Sequence, residues 1–211
     1  MIHVYGTSHV SEESFDVIDK AIEQHDPEVI ALELDYPRLN SILGEDDQKS
    51  GPLFARLIKM FQERVGAQTG VMPGSEMEYA YNCAMEDGRE IALVDQDIRV
   101  TVQRLKCVRR KEKVRAVISI LAGFLSPRKD FDVSTIPEDE LIDELIEEME
   151  EEFPDIYDVL MTERNQFIVQ ALQEVDENRE GDVVAFLGAA HVKKVKQMLN
   201  EVNSQSTVEK K

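Results

Sequence analysis

The sequence predicts an α/β protein: a mostly parallel or mixed central sheet flanked by helices, with a largely helical insertion. Three observations carry this. Four short apolar runs, at 2–6, 28–35, 90–95 and 183–187, have the length and near-continuous hydrophobicity of strands covered on both faces. Segments with apolar residues at helical spacing separate them, the alternation from which parallel sheets are built. Residues 97–178 keep helical periodicity with no strand signal, so the insertion sits between the third and fourth strands. We read 1–202 as one domain and 203–211 as a polar tail.

The first strand, "IHVYG", leads to Ser11, a candidate N-cap, with Glu12 and Glu13 where carboxylates favour a helix start. Phe15, Ile18, Ala21 and Ile22 form the inner face of the helix that follows, and Asp26-Pro27 ends it. "EVIALELD" (28–35) is the second strand. Pro52 opens a helix whose inner face is Leu53, Leu57, Phe61 and Val65. "GSEMEYAYNCAMEDG" (74–88) is another, with Ser75 and Glu78 matching a capping box and Gly88 a C-terminal stop. "EIALVD" (90–95) is the third strand. One long helix is expected from Asp97 to about Leu125, its apolar end "AVISILAGFL" (116–125) buried. A loop holding Pro127 and Pro137 precedes an acidic helix to Phe153. Pro154 breaks it, and a further helix runs to about Asp176. "VVAFL" is the fourth strand, and the final helix covers about 190–201.

Composition removes several functions. The 24 basic and 43 acidic residues leave a net charge of −19, which repels nucleic acid and anionic lipid. The basic run 104–115 has no interleaved aromatics, and it reads, like the acidic run 138–152, as a solvated helix face able to pair with the other run within the chain or across a homodimer. Cys83 and Cys107 do not make a metal-spaced pair, and reduced thiols suit a cytoplasmic setting. The longest apolar stretch has ten residues, too short to span a bilayer. The chain is thus expected to be soluble as given, alone or as part of a longer membrane protein. There is no phosphate-cradling glycine loop, serine elbow or His-Glu-x-x-His helix.

The chemistry concentrates where strands end, which is where open α/β sheets bind ligands. "GTSH" (6–9) and "GAAH" (188–191) write one Gly-x-x-His phrase after the first and last strands. Glu33 and Asp35 end the second strand, and Asp95 ends the third. If the first and last strands are neighbours, His9 and His191 face each other, and Gly6 and Gly188 are expected to turn the chain with positive φ. Two histidines plus carboxylates are a ligand set for Mn, Co, Zn or Fe, and a carboxylate beside such an ion can serve as general base. The plainer roles are a salt bridge for Glu33, helix capping for Asp95 and a first-turn acid for Glu76. Asn165 is a poor mid-helix residue next to Arg164, which suits a carboxylate fork to substrate or to Glu33. His3, inside a strand, and His25, at a helix C-terminus, carry no such pattern.

"GTSHVSEES", "ALELD", "GSEMEYAY", "ALVDQDI", "ERN" and "GAAHV", taken in order, resemble the TraB/PrgY family, which is related to the Tiki metalloproteases and to the erythromycin esterase and ChaN-like folds. The resemblance implies metal ligands at His9, His191, Glu33 and Asp95, and catalytic roles for Glu33, Glu76, Arg164 and Asn165. It implies a divalent cofactor, Mn or Co ahead of Zn, a peptide or protein substrate, and a link to peptide pheromone shutdown. Archaeal members often continue into C-terminal membrane helices. The expected function is therefore a metal-dependent hydrolase of peptides. A peptide-binding regulatory module without catalysis and a metal-independent esterase-like hydrolase are the alternatives.

Overall fold

The computed structural model describes residues 1–7, 13–44, 74–125 and 138–209. The Ser11 cap, His9, the helix opened by Pro52 and the loop with Pro127 and Pro137 lie outside these residues. The chain divides into two units, Met1–Ile98 with Phe167–Lys211, and Arg99–Gln166.

The first unit is the α/β body. Strand β1 (Ile2–Thr7) is followed by α1 (Glu13–His25), β2 (Val29–Leu32), α2 (Tyr36–Ile42), α3 (Ser75–Asp87) and β3 (Glu90–Leu93); α8 (Glu163–Glu177) then leads to β4 (Val183–Gly188) and α9 (Ala189–Glu209). All pairings are parallel, and the strand order is β1-β4-β2-β3. The first and last strands are therefore neighbours, with Gly6 opposite Leu187 and Thr7 opposite Gly188.

Period-2 alternation divides the core into two layers. On one face Val29, Ala31, Val183, Ala185 and Leu187 pack under Ile168, Val169 and Leu172 of α8 and Val195 and Leu199 of α9. On the other, Ile30, Leu32, Val184 and Phe186 pack under Ile18, Ala21 and Ile22 of α1 and Met77, Ala80 and Ala84 of α3. Central strands β2 and β4 are buried at every position, as near-continuous apolar runs dictate. Each fully buried large side chain, Phe186 or Leu32 for example, contributes about 2–3 kcal/mol of transfer free energy.

Two local expectations are corrected here. Neither Gly6 nor Gly188 has positive φ; both are extended strand residues. A Cβ on Gly6 would sit 3.2 Å from Val192 Cγ2, so glycine lets α9 approach β1. Ser75 is not a cap either: Gly74 is the N-cap of α3, at φ 94°, and makes no side-chain cap bond. The expected stop at Gly88 is present, with φ 69° and its N–H donating to the Ala84 and Met85 carbonyls.

The second unit is helical. Instead of one long helix there are two, α4 (Ile98–Cys107) and α5 (Arg110–Leu125), with Val108 buried at the break. Next come α6 (Glu138–Glu152), the single turn α7 (Pro154–Tyr157) and a π-helical turn at Asp158–Thr162 that runs into α8. Buried Glu112 accepts the Ile156 N–H at 2.9 Å and so satisfies an orphan donor at the start of α7. Arg109 pairs with Asp155 at 2.5 Å, and Arg115 of the basic run pairs with Glu152 of the acidic run. Val117 and Ile118 are exposed, contrary to the expected buried apolar segment: an apolar run shows that a face is available, not that a partner covers it. Among the described residues no helix is long and apolar enough to cross a membrane.

Candidate functional site

With four parallel strands, every strand presents its C-terminal end at the same edge. Thr7, Glu33, Asp35, Asp95 and His191 lie there and all are buried. The backbone explains the crowding. The Glu33 N–H donates to the Phe186 carbonyl at 3.2 Å, and the Asp95 N–H donates to the Leu34 carbonyl at 3.2 Å, so sheet pairing continues past the strand ends.

Glu33 is the hub. One carboxylate oxygen accepts the N–H of Gly188 at 2.7 Å. The other lies 3.4 Å from His191 Nε2. Gly188 immediately precedes α9, so the carboxylate faces the end of that helix where the dipole favours negative charge. The sequence Gly-x-x-His thus has a mechanical meaning at this end of the chain: its glycine supplies an amide to Glu33, and its histidine, one helical turn on, meets the same carboxylate. Glu33 and His191 are 8% and 4% exposed, so the pair is desolvated, a costly arrangement typical of functional sites.

The neighbouring acids are tied down. Asp35 caps α2, accepting the Arg38 N–H at 2.8 Å, and also accepts the Ile98 N–H. Asp95 pairs with the Arg38 guanidinium and accepts the Gln96 N–H at 2.8 Å. Glu76, 1% exposed, accepts the Gly74 N–H at 3.1 Å and closes the start of α3. Beside it the buried Ser75 Oγ has no hydrogen-bond partner among the described residues. In the helical unit Asn165 is buried, and Arg164 donates to the Leu160 carbonyl at 3.3 Å.

Of the residues singled out from sequence, then, Glu33 and His191 are in contact, Asp95 is at the same edge in an ion pair with Arg38, and His9 lies outside the described residues. Arg38 was missed; its side chain reaches Asp95 from a helix that opens one residue after Asp35, and nothing in the local sequence marks it. Glu33 and His191 suit a divalent ion by donor type. Among the described residues, the His, Cys, Asp and Glu donors that converge in a group of three are those of His3, His25 and Asp182, at the opposite edge.

The TraB/PrgY/gumN family model matches residues 1–209. The chain is 30% identical over 228 residues to the uncharacterised protein MJ1365 of Methanocaldococcus jannaschii, covering 99% of this chain and 55% of that protein. It is 26% identical over 197 residues to the human TraB domain-containing protein, covering 82% of this chain and 52% of the relative. The chain thus spans about half the length of these curated relatives. By the extent of the family match, the chain belongs to the TraB/PrgY/gumN family.

Proposed function

We propose that this domain is a metal-dependent hydrolase acting on peptides, with its centre at the carboxyl edge of the sheet. The observation that supports this most is the buried Glu33–His191 contact, anchored by the Gly188 amide. His191 and Glu33 would hold the ion together with His9, which follows the strand paired with β4. An imidazole and carboxylate set suits Mn, Co and Zn alike; the order Mn or Co ahead of Zn is what the family resemblance implies. A bound ion of this class supplies Lewis acidity toward a scissile carbonyl. The chain's own part is positioning: the Gly188 N–H fixes one oxygen of Glu33, which leaves the other oriented toward His191. Glu33 would serve as ligand or general base, and Glu76, buried at the start of α3, would complete the shell. Asp95 is in the arrangement of a support held by Arg38, and it is the weakest of the expected ligands.

The test is cleavage of a fluorogenic peptide library by the chelator-treated chain with Mn, Co or Zn restored in turn. Wild type should regain turnover, while His191→Gln and Glu33→Gln should not. Saturable peptide binding with no metal-dependent turnover would replace the hydrolase reading with a binding module. Turnover that survives exhaustive chelation would replace it with a metal-independent hydrolase.

A further inference from the structure

The amino edge of the same sheet carries a separate cluster. His3 is the second residue of β1, Asp182 immediately precedes β4, and His25 is the last residue of α1. Parallel pairing of Ile2 with Val183 brings His3 beside Asp182, with Nε2 3.3 Å from Oδ2. Asp26 follows α1 at φ 40° and ends the helix there, which leaves the His25 ring stacked on His3, centroids 3.7 Å apart and planes at 23°. The Tyr5 hydroxyl lies 2.7 Å from His25 Nε2.

We infer that His3, His25 and Asp182 form a binding site for a divalent transition ion of the zinc class, distinct from the carboxyl-edge centre and independent of it. One donor atom from each residue lies within 4.8 Å of the others. Donors about 2.1 Å from a common ion can be up to about 4.2 Å apart, so the set is within a small side-chain adjustment of closure. Stacked rings present their ring nitrogens side by side, and binding hinges the two rings toward a shared point. All three side chains are only partly buried, which gives them that freedom. Two imidazoles and one carboxylate favour Zn, Ni, Co or Cu over Mg or Ca.

The surroundings favour a cation. The C-terminal end of α1, where His25 sits, carries the negative pole of the helix. Asp176 and Asp182 both lie beside this edge, where they hold the Met1 amine at 3.0 and 3.3 Å. Asp182 uses Oδ1 for the amine and Oδ2 for His3, so the oxygen facing the histidines is the one a metal would take. Tyr5 then orients the His25 ring as an outer partner.

The experiment is a titration of the chelator-treated full chain with zinc alone, read by calorimetry and by thermal unfolding. Wild type should bind zinc and unfold at higher temperature with it, since a ligand selective for the native state stabilises it. His3→Gln, His25→Gln and Asp182→Asn should each lose one equivalent of zinc, and His191→Gln should keep that equivalent. Equal zinc stoichiometry in wild type and His25→Gln, or loss only in His191→Gln, overturns the site. If the variants fail to fold, zinc protection of His3 and His25 in wild type against diethylpyrocarbonate, read by peptide mass, decides: protection supports the site and unchanged modification contradicts it.

Discussion

The two ends of the sheet use the same chemistry under opposite solvation. At the carboxyl end a histidine meets a glutamate in the interior, with a backbone amide fixing the carboxylate. At the amino end two histidines meet an aspartate at a half-open surface, where the rings stack on each other. Burying the first pair costs desolvation that only partners can offset, so its geometry is set by the fold before any ligand arrives. The second cluster costs little to maintain and remains adjustable. Parallel strands explain why both ends can be rich in function: every strand start shares one edge, and every strand end shares the other.

The sharpest way to break this comparison is Glu33→Ala. It strips a carboxylate from the buried His191 and from the Gly188 amide, and about 3 kcal/mol should be lost in denaturant unfolding. A loss below about 1 kcal/mol would mean that the carboxyl edge is solvated like the amino edge. Next is Gly6→Ala, which pushes a Cβ against Val192; overpacking should cost about 1–3 kcal/mol, measured the same way, and a neutral result would show that α9 moves away freely. At the amino end, His25→Gln without metal should change stability by about 1 kcal/mol or less, the net worth of a part-buried hydrogen bond such as the one with Tyr5.

The smallest effect concerns Tyr79, whose hydroxyl donates to Asp19 at 2.8 Å. That bond, with some burial, raises its pKa from 10.0 to about 12. The folded chain keeps this proton when the unfolded chain has released it. The contribution is therefore fully present below pH 10 and is lost as pH rises through about 12. In Tyr79→Phe the difference between wild-type and variant stability should shrink across that interval; a difference that is constant with pH would show that the bond does not set the shift.

How much of this could be read from sequence follows from how local each signal is. The strands, the parallel sheet and the stop at Gly88 are written in short-range periodicity and turn chemistry. The pairing of β1 with β4 is not legible locally, because strand order depends on the whole chain. The contact of Glu33 with His191 needs a further condition, that β2 also pairs with β4, and no local signal carries it. The glycines of the two Gly-x-x-His phrases stand out in the sequence, but the reason for Gly6 does not, because it is a helix residue 186 positions later. The His3–His25–Asp182 cluster was missed for a similar reason. It needs the length of α1, the register of β1 against β4 and the turn at Asp26 together, and none of these marks a histidine locally. The paired Val117 and Ile118 looked like core because apolar content carries no information about what lies opposite.

The most direct measurement is cobalt absorption of the chain in a His25→Gln background, which silences the amino edge. The account predicts one ligand-field signal that disappears in His191→Gln, in Glu33→Gln and in His9→Gln. Identical spectra in all four proteins would contradict a metal centre at the carboxyl edge.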